Sequence, residues 1–195
     1  MNKVASHPRG GWMSKGEVYR KLISRVQSLG RNGFRAVLWH QGESDANQKD
    51  ESRTLPGKLY QEYLSKLIKA TRKDLKWECP WFVAQASYHT PEDPGSEDIR
   101  AAQRALWESG LALQGPDTDL LTGENRDHDG KGVHFSGKGL RAHGRAWANK
   151  VEPWLSQELQ KKKALVFVLA GQSNMQGQGV VSMDHEKHYN AGKGN

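Results

Sequence analysis

The feature that most restricts the fold is an alternation of period. Short apolar runs of strand length, at residues 34–39, 81–86, 118–122 and 164–170, are separated by longer stretches with helical spacing of apolar residues. The first such stretch opens with Ser14-Lys15-Gly16-Glu17, a pattern that reads as a capping box, and carries Val18, Leu22, Val26 and Leu29 on one face before Gly30 and Asn32-Gly33 end it. A second helix is expected over 57–75, with Leu59, Tyr60, Tyr63, Leu64, Leu67 and Ile68 as its apolar stripe, and a third over 96–113. Ser136 is expected to cap a last helix lined by Leu140, Trp147, Val151 and Leu155, with Pro153 kinking or dividing it. Strands that alternate with helices pair in parallel, because each crossover lays a helix on one face of the sheet. The expected fold class is therefore α/β, a three-layer sandwich around a small parallel sheet.

Several function classes fall away on composition. No stretch reaches the roughly 18 apolar residues that a membrane span requires, and the N-terminus shows no signal-peptide apolar region. The net charge of +7 comes from basic residues scattered through helical stretches, with one run at Lys161-Lys162-Lys163, so neither a nucleic-acid nor a membrane partner is expected. Cys79 is the sole cysteine, which rules out an intrachain disulfide, and its neighbours Trp77, Pro80 and Trp81 suit a packed structural thiol. His185 and His188 have a ligand-like spacing, but they stand in a glycine-rich tail without a second cluster; no metal is expected. The 195 residues suit one domain, with 176–195 as a loop-rich tail. The sequence fixes no oligomeric state.

In an open parallel sheet, ligands bind beyond the carboxyl ends of the strands. Two polar motifs stand in that position: Gln41 to Asp45 after the first apolar run, and Gly171-Gln172-Ser173-Asn174-Met175 after the last. A serine at a strand-to-helix turn exposes its hydroxyl beside backbone N–H groups that can hold an oxyanion, and Gly171 permits the tight turn. Taken from the residues alone, Ser173 also suits a helix N-cap.

Gly171-Gln172-Ser173-Asn174-Met175 resembles the first sequence block of SGNH hydrolases of the sialate O-acetylesterase and carbohydrate esterase family 6 group. Arg9-Gly10-Gly11 resembles the second block, Leu38-Trp39-His40-Gln41-Gly42-Glu43-Ser44-Asp45 the third, and Gly132-Val133-His134-Phe135-Ser136 the fifth. The resemblance implies an SGNH/flavodoxin-like sandwich and a carbohydrate O-acetylesterase, active on an acetylated sugar such as a sialic acid or xylan, without metal or organic cofactor. It implies Ser173 as nucleophile and His134 as general base. Oxyanion or substrate contacts fall to Gly11 (or Gly10), Gln41, Gln172 and Glu43. It also implies export from the cytoplasm.

The chain departs from the family pattern in three respects, one being Ser44 where the wider superfamily places Asn, which moves that donor role to Gln41. The family places Asp three residues before the catalytic His, where Lys131 stands here; Asp129 is the first candidate to support His134, then Asp127, then Glu43. The block order is also rotated, since Ser173 follows His134, with a joint near 160–163. A circularly permuted domain is expected, the alternative being a fragment joining the end of one domain to the start of another. A catalytically silent, carbohydrate-binding remnant is the rival function.

Overall fold

The computed structural model describes residues 16–30, 33–47, 51–158 and 167–171. Four strands, β1 (Ala36–His40), β2 (Trp81–Gln85), β3 (Leu113–Asp117) and β4 (Phe167–Gly171), form one sheet in the order β3-β2-β1-β4. All three pairings are parallel: Val37 lies opposite both Trp81 and Val168, and Phe82 lies opposite Leu113.

Strand alternation sorts the side chains onto two faces. Val37, Trp39, Trp81 and Val83 join the larger core with α1 (Glu17–Ser28), α2 (Gly57–Leu75) and α3 (Glu97–Glu108). Ala36, Leu38, Phe82 and Ala84 pack on the other face against Trp147 and Val151 of α5 (Gly137–Glu158). The result is the expected three-layer α/β sandwich. Trp39 and Trp81 are fully buried, with ring centroids 5.8 Å apart, which makes Trp39 a core residue. Cys79 is buried as well, and burial is the first cause that raises its thiol pKa.

Several boundaries differ from the sequence reading. In α1 the cap position is held by Gly16, without a side-chain cap, and the helix starts at Glu17; Ser14, the expected capping residue, lies outside the described residues. Its buried face is Tyr19, Leu22, Ile23 and Val26, while Leu29 stays exposed; Tyr19 moves inward because its hydroxyl donates to Asp74. In α2, Leu59 is on the exposed side. Ser96 caps α3, accepting from Ile99 N–H, but the helix stops at Glu108 where Gly110 takes a left-handed φ of +71°.

That early stop moves the third strand to 113–117, ahead of the expected 118–122. β3 is an edge strand, so Pro116 removes no ladder bond from the sheet interior. Gly115 lets it approach, since a Cβ there would sit 2.7 Å from the Val83 and Ala84 backbone. Ser136 accepts from Gly139 N–H at the start of α5, and this helix runs through Pro153 as one undivided element. The 176–195 tail lies outside the described residues, as does the expected joint at 160–163.

Gly115→Ala should lower stability by about 1–3 kcal/mol in urea denaturation, because backbone must move to admit the methyl. Gly110→Ala, with open space but a left-handed φ, should cost about 1–2 kcal/mol from conformation alone.

Candidate active site

The carboxyl edge of the sheet gathers the motifs. β1 ends at His40, whose register partner across the ladder is Gly171 of β4. Gln41 therefore leaves the sheet beside the chain that leads into Gln172 and Ser173. Gly10, Gly11, Gln172 and Ser173 themselves lie outside the described residues.

His134 reaches the same edge through the loop between β3 and α5. Its Nδ1 is 3.3 Å from Asp127 Oδ2, and Asp127 N–H donates to His134 O at 2.9 Å. Phe135, the next residue, packs its ring 5.9 Å from that of His40. The carboxylate beside the imidazole is thus Asp127, the second candidate, and not Asp129. The reason is a left-handed turn in the single-turn element α4 (Asp127–Gly130): His128, Asp129 and Gly130 have φ of +48°, +56° and +85°. This conformation swings Asp129 into solvent and returns the chain so that Gly132 lies against Asp127. A Cβ on Gly132 would fall 1.6 Å from Asp127 Oδ1, so only glycine allows this closure. Two consecutive non-glycine residues in the left-handed region cost about 1–2 kcal/mol each, a strain of the kind that collects at functional loops.

Arg126 secures this loop. It is 3% exposed, and its guanidinium donates to Leu121 O, Val133 O and Thr118 O while stacking between the rings of Tyr88 and Phe135. Asp119 secures the neighbouring loop after β2 by accepting from Ser87 N–H, Ser87 Oγ–H and Tyr88 N–H, and it pairs with Arg100. His89 stands beside Asp93, its Nδ1 2.9 Å from Asp93 Oδ2.

The third block is braced rather than loose. Gln41 donates its side-chain amide to Asp45 Oδ2 at 2.8 Å, and its own buried Oε1 has no hydrogen-bond partner among the described residues. Glu43 accepts from Gly42 N–H, with its other oxygen 3.6 Å from His40 Nδ1. Gln103 of α3 stitches the loops after β1 and β2 together, donating to Gln41 O and Ala86 O and accepting from Ala86 N–H. Gly42 makes that approach feasible, since a Cβ there would lie 1.9 Å from Ala86 O.

Behind these loops sit two neutral imidazoles. Thr118 Oγ–H donates to Gln85 O, so its oxygen accepts from His40 Nε2–H. His143 Nε2 accepts from Trp147 Nε1–H. Burial is the first cause that lowers both pKa values, with His40 and Arg126 adding to the effect on His143, which falls to about 3. The sequence pointed to neither Arg126 nor His143: a buried Arg or His in a polar stretch looks like a solvated one until its neighbours are known.

Among the described residues, no group of three or more His, Cys, Asp or Glu is arranged to hold a metal ion. No helix among them is long and apolar enough to cross a membrane.

A family model described as carbohydrate esterase, sialic acid-specific acetylesterase, matches residues 5–152. The chain belongs to this family. The matched stretch includes the third and fifth blocks with Gln41, Asp127 and His134, and it ends before Ser173. No curated protein and no solved structure matches the chain. Membership in this carbohydrate esterase family agrees with the α/β sandwich and with the resemblance carried by the motifs.

The buried imidazoles give a signed pH dependence. Their folded pKa values lie below the unfolded value of 6.5, so the unfolded chain binds more protons as pH falls. Stability should be complete above about pH 6.5 and decline below it, by up to about 1.4 kcal/mol per pH unit for His143. Thermal melts between pH 7 and pH 4 should show this slope, and His143→Gln should flatten it.

Proposed function

We propose that the chain is a serine carbohydrate O-acetylesterase acting through an acetyl-enzyme. One observation carries the reading: the register sets Gly171, two positions before Ser173 in the sequence, opposite His40 at the end of β1, and Phe135 packs on His40 next to the His134–Asp127 pair. On this reading nucleophile, base and supporting carboxylate act at one sheet edge.

In the proposed reaction, Ser173 Oγ attacks the acetyl carbonyl and His134 Nε2 takes its proton. Asp127 accepts from Nδ1–H, fixing the tautomer and offsetting the imidazolium charge. The oxyanion draws on backbone N–H groups of Ser173 and of Gly11 or Gly10, with the Gln41 amide as a side-chain donor. Asp45 holds one N–H of that amide, which leaves the other for the oxyanion. Collapse breaks the ester C–O bond, and His134 gives its proton to the departing sugar hydroxyl. Water, deprotonated by His134, then releases acetate from Ser173. Gln172 and Glu43 serve as supporting residues, Glu43 through the Gly42 backbone.

The strand order supports a circular permutation within a single domain. Flavodoxin-like sheets run 2-1-3-4-5. Placing β4 as strand 1, β1 as strand 3, β2 as strand 4 and β3 as strand 5 reproduces the observed neighbours.

Hydrolysis of p-nitrophenyl acetate and acetylated xylan or sialic acid tests the reading. Ser173→Ala should abolish turnover, whereas a variant as active as the parent overturns the assignment. Asp127→Asn should lower kcat by about a hundred- to ten-thousand-fold. Asp129→Asn, at an exposed position, should stay within about twofold of the parent; the reverse pattern would restore Asp129 as the supporting carboxylate.

A further inference from the structure

We propose that Arg126 is a positioning residue for the general base, clamping the loop that carries His134 against the sheet edge from both sides of the imidazole. The inference rests on the esterase reading above. Arg126 holds both chain neighbours of His134 with one planar group: Nη1 donates to Val133 O at 2.8 Å, and the guanidinium carbon lies 4.4 Å from the centre of the Phe135 ring. The other contacts lead into the fixed parts of the fold. Nη2 donates to Thr118 O at 3.0 Å, just past β3, and Nε donates to Leu121 O at 2.5 Å. The Tyr88 ring, from the loop after β2, covers the opposite side at 4.1 Å.

The backbone closes this loop at its base through one isolated bridge between Arg126 and Phe135, made by Asp127 N–H to His134 O and Ser136 N–H to Asn125 O. The left-handed residues between Asp127 and His134 store strain, so the loop needs a partner that over-determines its path. A guanidinium supplies three directed donors in a plane, together with two stacking faces. A lysine ammonium supplies a point charge and neither the plane nor the fork.

The charge of Arg126 contributes separately. Glu43, Asp119 and Asp127 face it, together with Tyr88, and their fields oppose the depression of its pKa that burial causes. Arg126 is thus a buried cation among the carboxylates around His134.

Arg126→Lys and Arg126→Met separate geometry from charge. In folded Arg126→Lys, kcat for p-nitrophenyl acetate should fall about 10–100-fold with KM within about threefold, since a displaced base costs rate rather than binding. In Arg126→Met the loss should exceed that of Arg126→Lys, because the cation facing Asp127 and Glu43 goes together with the donors. A purely structural role would lower the melting temperature of both variants while leaving kcat per folded molecule unchanged. If Arg126→Met does not fold, Arg126→Lys alone decides. A folded Arg126→Lys with kcat within about twofold of an active parent overturns the inference alone. A parent that hydrolyses no ester overturns the esterase reading, and the inference with it.

Discussion

Parallel pairing of Ala36–His40 with Phe167–Gly171 is the constraint on which the proposed chemistry depends. Parallel strands present their carboxyl ends to one edge, and the pairing aligns His40 with Gly171 at that edge. The two stretches are far apart in the chain, yet each leads straight from its last paired residue into a motif that carries reactive groups. Were β4 to slip or leave, Gly171 would lose its place opposite His40. The loop bearing His134 would keep its own ties to β3 and to the β2 loop through Arg126.

The rest of the edge reads as a set of braces with little freedom. Arg100 ties Asp117 and Asp119, Asp119 holds the Ser87–Tyr88 backbone, Tyr88 stacks on Arg126, and Arg126 holds Val133. These links join α3 and the loops that follow β2 and β3 to one another, so the loops are tied together at the sheet edge. Glycines allow the close approaches: Gly42 against Ala86 O, and Gly132 against the Asp127 carboxylate. Preorganisation of this kind is what acyl transfer requires, because donors aimed in advance at the developing charge need not reorganise during reaction.

Much of this was legible in the residues. The helix over 57–75 was read to the residue, since Tyr60, Leu64, Leu67 and Ile68 repeat at helical spacing between Pro56 and a left-handed Lys76. The sandwich followed from alternation, and Trp39 from its place in an apolar run. The third strand was misplaced because Leu113-Gln114-Gly115-Pro116-Asp117 has no strand-like composition. Only its edge position and the Gly115 approach to β2 make it one. Asp127 ranked below Asp129 because sequence distance to His134 ignores the left-handed turn that carries Asp129 outward. Arg126 gave no signal, since its role arises from five partners spread from Tyr88 to Phe135.

The central claim is that Ser173 is an activated nucleophile within reach of His134. The most direct measurement is mass spectrometry of the intact and digested protein after exposure to a fluorophosphonate, with His134→Ala run in parallel. The account predicts one phosphonyl adduct on the peptide containing Ser173, formed much more slowly in His134→Ala. Binding of an acetylated sugar by a folded protein whose Ser173 stays unlabelled would contradict it and would favour a silent carbohydrate-binding remnant.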